Sequence, residues 1–284
     1  MKRFEKKTNQ FISDENVRAV NEERALKRVE DFFPVKRNYI QGTEEDLYLV
    51  SYPRSGVTWL RVMLSELAYQ SSGESLADLD YFVPDLSLNV LSDQIIPSSR
   101  HIFKSHESYL WNHWKTEKYK KVVYLMRDPR DVALSYYRYN QKLCNYAGSL
   151  DEFIADWIAG RISPGTWSQH VDSWEASSIE KYGVQSCLIK YEDLTRQPLA
   201  ELKKISEFFS ITADLKALEK AVSNSSVERM RQKEAKGKRR VEIASGFEFI
   251  GKAESGQWKT ALTRSQQETL ENAFGKTMKR FGYL

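Results

Sequence analysis

Four short apolar runs, rich in β-branched and aromatic residues, alternate along the chain with segments of helical periodicity. They lie near residues 47–51, 101–105, 121–126 and 187–191, and their lengths are typical of buried strands. Because helical segments follow most of the runs, the strands are expected to pair in parallel beneath helices on both faces. The pattern therefore predicts a single-domain, three-layer α/β/α fold with a mostly parallel sheet.

The N-terminal segment does not follow this pattern. Residues 1–37 are highly charged and contain no apolar stretch long enough for a signal peptide or a membrane helix. Scattered apolar positions between residues 15 and 33 predict a surface helix. We therefore predict a helical extension over residues 1–40, packed on a core domain that spans residues 41–284.

The first apolar run leads into an amphipathic helix through a turn that contains proline and glycine, in the segment LYLVSYPRSGVTWLRVML at residues 47–64. In parallel α/β proteins such a junction binds phosphate, because backbone N–H groups and the helix N-terminus converge there. Taken alone, the turn is equally compatible with an ordinary connection. The predicted anion contacts are Ser55, Gly56, Val57, Thr58 and Trp59.

The turn departs from a nucleoside-triphosphate loop at the positions that bind the triphosphate. Against G-x-x-x-x-G-K-[ST], Val57 occupies the lysine position and Ser51 the position of the first glycine. The turn therefore lacks the lysine that would bind the β- and γ-phosphates of a triphosphate with magnesium. Arg54, two residues before Gly56, supplies a cation instead.

A second strand-to-helix junction, YLMRDPRDVALSYY, occupies residues 124–137. Arg127 ends the strand and Ser135 follows about two helical turns later, so both are expected to face one phosphate dianion. On the same helix, Arg130 is predicted to be a solvated cation and Asp131 a cap or an ion-pair partner.

A polar cluster, Lys104-Ser105-His106, follows another strand. A histidine with its ordinary pKa near ~6.5 accepts a proton at neutral pH, although a lone histidine is more often structural. Lys104 lies two residues earlier on the same strand face. The other histidines, His101, His113 and His170, have no comparable setting.

Together these segments resemble the PAPS-dependent, cytosolic-type sulfotransferases. YPRSGVTW is similar to that family's 5′-phosphosulfate loop, Y-P-K-S-G-T-T-W, with arginine and valine in place of lysine and the first threonine. Arg127 and Ser135 match the 3′-phosphate motif, R-x-x-x-D-x-x-x-S, and His106 matches the histidine of K-T-H, the family's general base. The resemblance covers about residues 45–265 and implies a P-loop-like sulfotransferase fold.

A weaker resemblance joins residues 249–259 to the family's R-K-G-x-x-G-x-W segment, which closes over the 3′-phosphate. Gly251 and Ala253 replace the arginine and the first glycine, while Lys252 is retained. The upstream basic run at residues 236–240 is either a compensating contact or a solvated loop. Because residues 228–257 show little apolar periodicity, we predict a mobile cap there.

Two further segments concern the nucleotide. Tyr191 belongs to a Y-E-D segment whose tyrosine lies near the adenosine in the family, and Ser225 to a segment that resembles [ST]-S-F-x-x-M. The resemblance implies that both contact the nucleotide. Val227 replaces the aromatic residue of the second segment, which leaves Trp59 as either the adenine platform or a core tryptophan.

The resemblance implies transfer of a sulfuryl group from PAPS (3′-phosphoadenosine 5′-phosphosulfate) to a hydroxyl or amine of a small molecule, with PAP as product and no metal. His106 is the implied base, and Arg54 and Lys104 are implied to neutralise the departing phosphate oxygen. A P-loop-type small-molecule kinase and a non-catalytic nucleotide-binding module are the alternatives. The absent loop lysine disfavours the first, and the second has no use for His106.

The composition of the chain limits which classes of partner and which compartment are expected. A chain of 284 residues with a net charge of +4 can bury a full core, and its basic residues are not interleaved with aromatic ones as in single-strand binders, so nucleic acid is not expected. Cys144 and Cys187 are too few for a disulfide framework, which favours the cytoplasm. No membrane partner is expected, and a homodimer is compatible with the sequence.

An acidic segment precedes the polar cluster. Residues 75–94 contain Asp78, Asp80, Asp85 and Asp93 and neither lysine nor arginine. Carboxylates beside a pocket would favour a polar or cationic natural product as acceptor, whereas a solvated acidic loop is the alternative.

Overall fold

The computed structural model describes residues 43–86, 94–109, 119–175, 179–180, 183–237, 250–251 and 254–284. All of these belong to one compact unit, residues 39–284. The predicted helical extension over residues 1–40 lies outside the described residues, as do Asp93, Lys252 and Ala253.

The described part of the chain contains a parallel sheet of four strands. The strands are β1 (Leu47–Ser51), β2 (Ile102–Ser105), β3 (Lys121–Met126) and β4 (Gln185–Lys190). Their order across the sheet is β2-β1-β3-β4, and every pairing is parallel. The four predicted runs are confirmed, and the carboxyl ends of all four strands meet at one edge of the sheet.

Helices follow the strands and cover the sheet. They are α1 (Val57–Tyr69), α2 (Leu79–Phe82), α3 (Pro129–Leu143), α4 (Leu150–Ile158), α5 (Trp167–Ser173), α6 (Tyr191–Arg196), α7 (Pro198–Phe208), α8 (Leu215–Asn224), α9 (Val227–Lys236), α10 (Trp258–Ala261) and α11 (Arg264–Arg280). None of the helices in these described ranges is long and apolar enough to cross a membrane.

Side chains that alternate along the strands build two separate cores. Tyr48 and Val50 pack on one face, against α3, α4, α5 and α11. Leu47 and Leu49 pack on the other face, against α1, α7 and α8. Successive strand residues point to opposite faces, so both faces are apolar and the predicted three-layer α/β/α architecture is confirmed.

The prediction of a mobile cap from residue 228 onward is wrong for its first part. Residues 227–236 form α9, whose N-cap Ser226 accepts a hydrogen bond from the backbone N–H of Arg229 at 3.4 Å. Met230 is buried against Val62, Leu76 and Leu79. One apolar anchor on a charged helix is enough to dock it, although it leaves little periodicity in the sequence.

Candidate active site

The candidate site residues lie where the strands end. The loop at residues 52–56 follows β1, His106 follows β2, Arg127 follows β3 and Tyr191 follows β4. In open α/β sheets, ligands bind in the crevice outside the carboxyl ends of the strands. The topology therefore brings residues from four distant parts of the sequence to one edge of the sheet.

The loop after β1 is shaped by one glycine. Gly56 has a φ of 93°, and a Cβ atom there would lie 2.5 Å from the ring of Tyr191. The ring therefore packs directly on the backbone where α1 begins. Ser55 is fully buried, and its Oγ has no hydrogen-bond partner within the described residues. The N-terminus of a 13-residue helix and an unpaired hydroxyl together suit an anion.

Arg54, Ser135 and Arg127 come together above this loop. Arg54 Nε donates to Ser135 Oγ at 3.1 Å, and Arg127 Nη1 donates to the Arg54 carbonyl oxygen at 3.3 Å. The Arg54 guanidinium also lies 5.2 Å from the ring centre of Tyr139. Arg54 thus contacts Ser135 through its side chain and Arg127 through its backbone, whereas the predicted binding of one phosphate by Arg127 and Ser135 stays a prediction.

The Arg127 side chain is held on three sides. Its guanidinium lies 4.3 Å from the ring centre of Tyr191, and Nη2 donates to the carbonyl oxygen of Glu254 at 3.1 Å. Its Nε is buried and has no partner in the part of the chain that the structure describes. This donor set, a guanidinium with a buried N–H to spare beside an unpaired serine hydroxyl, fits a phosphorylated ligand.

Asp131 and Arg130 anchor the third motif. Asp131 accepts from the backbone N–H groups of Gly256 at 2.6 Å and Trp258 at 3.0 Å. The Arg130 guanidinium lies 3.6 Å from the Trp258 ring centre and pairs with Asp128 at 2.8 Å and Glu271 at 2.6 Å. Arg130 is only 5% exposed, so its prediction as a solvated cation is wrong.

His106 is oriented by its contact with β1. Its Nδ1 lies 2.7 Å from the carbonyl oxygen of Ser51, which can only accept a hydrogen bond. Nδ1 therefore carries the proton in the neutral ring, and Nε2 carries the lone pair that can accept one. Burial, and then the positive charge of Lys104, lower the pKa of His106 well below its ordinary value, which keeps Nε2 unprotonated.

The acidic segment is neutralised by cations of the chain. Lys104 Nζ lies 2.6 Å from Asp85 Oδ2, and both side chains are buried. Arg61 Nη2 lies 2.7 Å from Asp80 Oδ1. Asp78 caps a turn and accepts from the backbone N–H of Ser75 at 2.9 Å. Asp80 and Asp85 are thus paired with cations, whereas Asp93 lies outside the described residues.

The adenosine candidates form a second group. Trp59 Nε1 donates to the Ser225 carbonyl oxygen at 2.8 Å, and its ring lies edge-on to Tyr191 with centres 6.1 Å apart. Ser225 is fully buried, and its Oγ donates to the carbonyl oxygen of Val222 at 2.9 Å. Ser225 thus supports Trp59 through its backbone, and its hydroxyl is directed inward.

The remaining predicted residues are only partly described. Gly251 is exposed, and its carbonyl oxygen accepts from Arg231 Nη2 at 3.1 Å. Its neighbours Lys252 and Ala253 lie outside the described residues. Within the described ranges, no group of three or more His, Cys, Asp or Glu side chains could hold a metal ion.

Three residues that the sequence names have partners in the structure that the sequence does not predict. Asp85 is the partner of Lys104, and Asp131 holds the third motif through two backbone N–H groups. His170, which the sequence places in no particular setting, donates to the backbone of His106. Their partners lie 19 to 127 residues away in the chain, so no local spacing could have shown them.

This arrangement is that of an α/β protein with an anion-binding loop, converging guanidinium groups and one oriented histidine at the carboxyl edge of its sheet. Residues 44–282 match the family model of the sulfotransferase domain. The chain therefore belongs to the sulfotransferase family, and it is a PAPS-dependent sulfotransferase rather than a kinase or a non-catalytic module.

Individual relatives agree with this assignment. The chain is 29% identical to mouse sulfotransferase 1B1 over 271 residues, which cover 89% of this chain and 86% of that protein. It is 28% identical to dog sulfotransferase 1A1, with 91% and 89% covered. The crystal structure of mouse sulfotransferase SULT7A1 complexed with PAP has a TM-score of 0.67 at 24% identity, covering 84% and 86% of the two chains. That likeness shows a common fold.

Proposed function

We propose that this enzyme transfers the sulfuryl group of PAPS to a hydroxyl or amine of a small-molecule acceptor, with His106 as general base. The observation that carries the proposal is the orientation of His106. Its Nδ1–H donates to Ser51, and the depressed pKa leaves Nε2 unprotonated. Nε2 takes the proton of the acceptor as the acceptor atom bonds to sulfur.

The nucleotide is assigned to residues that lie, like His106, where the strands of the sheet end. Arg127 and Ser135 are proposed to bind the 3′-phosphate, because their donors meet within hydrogen-bond distance of Arg54. The backbone from Ser55 to Trp59 is proposed to hold the 5′-phosphate, where the unpaired Ser55 Oγ is an additional donor. Tyr191 and Trp59 are proposed to flank the adenosine, and Gly251, Lys252 and Ala253 belong to the segment that closes over it.

Two cations are proposed to neutralise the negative charge that develops on the departing phosphate oxygen, as the bond between that oxygen and sulfur breaks. Lys104 is close enough to His106 for its charge to lower the pKa of the imidazole. Arg54 approaches from the loop, and its side chain contacts Ser135 and Tyr139. PAPS supplies the sulfuryl group, and PAP carries the electron pair of the broken bond.

The acceptor is not expected to be selected for positive charge. The sequence favours a polar or cationic natural product because of Asp80 and Asp85, yet these carboxylates form ion pairs with Arg61 and Lys104. A carboxylate that already has a close cation attracts a second one weakly. We infer that neutral hydroxyl compounds are accepted at least as well as matched cationic ones.

We also infer a cytoplasmic location, supported by the free thiols of Cys144 and Cys187. The small molecule remains the proposed partner. Neither nucleic acid nor a membrane is part of the proposal, and a homodimer is compatible with it.

The test is sulfuryl transfer from radiolabelled PAPS to a panel of matched neutral and cationic acceptors. His106→Ala is expected to lose about 10² to 10⁴-fold in kcat and to bind PAP like the wild type. His101→Gln is the matched control, since His101 lies at the other end of β2, where it contacts the Ile96 carbonyl oxygen at 3.1 Å. A His106→Ala variant that keeps more than about a third of the wild-type rate would remove His106 from the base role.

A further inference from the structure

The helix α5 (Trp167–Ser173) supports the segment that carries His106. Two hydrogen bonds involve residues of α5 and one involves Trp174, the residue after it, and each is made to the backbone of a different residue. His170 Nε2 lies 3.0 Å from the His106 carbonyl oxygen, Trp174 Nε1 donates to the Glu107 carbonyl oxygen at 2.9 Å, and the Tyr109 N–H donates to Ser173 Oγ at 3.0 Å. Because β2 ends at Ser105, the His106 backbone lies beyond the strand, and of these three bonds the one from His170 is made to His106 itself.

The protonation state of His170 follows from its two partners. Nε2 faces a carbonyl oxygen, which only accepts, so Nε2 carries the proton. Nδ1 therefore accepts from the Tyr124 hydroxyl, 2.8 Å away on β3. His170 is 1% exposed, and burial lowers its pKa to about 4. The ring is thus neutral at ordinary pH, with both nitrogens satisfied and one donor directed at His106.

We propose that His170 is a positioning residue for His106, and that Tyr124 holds His170 in the tautomer this role requires. The inference rests on the proposed base role of His106. One bond fixes the His106 ring through Ser51, and the other fixes its backbone through His170. With both ends held, the direction of the Nε2 lone pair is set before any acceptor arrives.

A purely structural role for His170 makes a different prediction. Its ring also packs edge-on against Tyr52, with centres 5.4 Å apart, and lies 5.7 Å from the Tyr124 ring centre. A residue that only fills the core would change stability, and any loss of activity would accompany a loss of nucleotide binding. A positioning residue instead lowers kcat while PAP affinity is retained.

The experiment compares His170→Phe, His170→Gln and Trp174→Phe by kcat, acceptor KM, PAP affinity and Tm. The phenylalanine keeps a ring but removes the donor, whereas the glutamine amide restores a donor close to the Nε2 position. Trp174→Phe is the matched control, since it removes a similar bond to the next carbonyl oxygen, that of Glu107. A misplaced base costs about tenfold or more in kcat.

We expect His170→Phe to lose about tenfold or more in kcat with PAP affinity within about twofold of wild type, and His170→Gln to recover most of it. Trp174→Phe is expected to stay within about threefold. If His170→Phe does not fold, Tyr124→Phe replaces it, because that change removes only the hydroxyl and is expected to lower kcat about threefold.

Two results would overturn the positioning role. One is a kcat for His170→Phe no lower than that of Trp174→Phe or, where Tyr124→Phe replaces it, a kcat for Tyr124→Phe no lower than that of the wild type. The other is an equal loss in PAP affinity and in kcat. His106→Ala separates this failure from failure of the base role: an inactive His106→Ala beside an active His170→Phe rejects positioning alone, whereas an active His106→Ala rejects both.

Discussion

The residues proposed for the base and those proposed for the nucleotide differ in how completely the protein satisfies their polar groups. On the acceptor side, both ends of His106 are hydrogen-bonded, to Ser51 and to His170, and Lys104 is paired with Asp85. On the nucleotide side, Ser55 Oγ and Arg127 Nε are buried without a partner in the described ranges. The protein itself orients the base, whereas the nucleotide site contains buried polar groups that a bound ligand is expected to pair.

This difference has an energetic meaning. A buried polar group left without a hydrogen bond costs about 1–3 kcal/mol of stability. A bound phosphate that accepts from Ser55 or Arg127 offsets that cost, so nucleotide binding should stabilise one half of the site much more than the other. The predictions below test the contrast, beginning with the largest expected effect.

Arg127→Ala should weaken binding of adenosine 3′,5′-diphosphate by about 10 to 100-fold, because a hydrogen bond to a charged group contributes about 1.5–3 kcal/mol. Binding of adenosine 5′-monophosphate should change little. Isothermal titration of both ligands measures the difference. Arg138→Ala, which changes an exposed arginine of α3, is the control, and equal losses for the two ligands would show that Arg127 does not contact the 3′-phosphate.

Hydrogen exchange with and without PAP should show the contrast directly. At a PAP concentration of about 100 Kd, binding should raise the free energy of unfolding by about 2.7 kcal/mol. With PAP bound, exchange by local opening should slow at the amides of residues 54–59, 127–135 and 254–258. The exchange rates of residues 106–109 and 167–173 should change far less. Uniform slowing over all five segments would contradict the contrast and would indicate exchange by global unfolding.

Asp131→Asn should weaken PAP binding by about tenfold, mainly through faster dissociation. The carboxylate accepts from the N–H groups of Gly256 and Trp258, and the single oxygen of an amide cannot replace both bonds to a charged acceptor, each contributing about 1.5–3 kcal/mol. Stopped-flow displacement of PAP measures the rate. Asp193→Asn changes an exposed ion pair with Arg196 and should behave as wild type; the same behaviour from Asp131→Asn would refute the anchoring role.

Sequence reasoning reached the fold because buried parallel strands appear as short apolar runs and because each motif joins a strand to a helix. It placed the loop that contains Arg54 and the junction that contains Arg127 after strands, and the carboxyl ends of parallel strands share one edge, but it did not predict the contact between Arg54 and Ser135. The prediction for Arg130 failed because its burial depends on Trp258 and Glu271. Periodicity reports burial along one element, and it contains no information on ion pairs between distant ones.

The smallest expected effect concerns the pH dependence of activity, and it tests whether the protein environment alone sets the protonation state of His106. Burial and the charge of Lys104 lower the pKa of His106, whereas the Asp85 carboxylate and the hydrogen bond to the Ser51 backbone oppose this shift. A lowered pKa means that the neutral imidazole persists as the pH falls, so activity on the acid side should be retained and not lost.

An ordinary histidine with a pKa near ~6.5 would keep roughly a tenth of its neutral form at about pH 5.5. We expect kcat/KM at that pH to retain clearly more of its plateau than that tenth, measured with two acceptors that do not titrate in the range. His101→Gln should give the same profile, because it lies away from the base. A loss of activity on the acid side with an apparent pKa at or above about 6.5 would mean that His106 becomes solvated before the reaction. The contrast between a base oriented by the protein and a nucleotide site completed by its ligand would then fail.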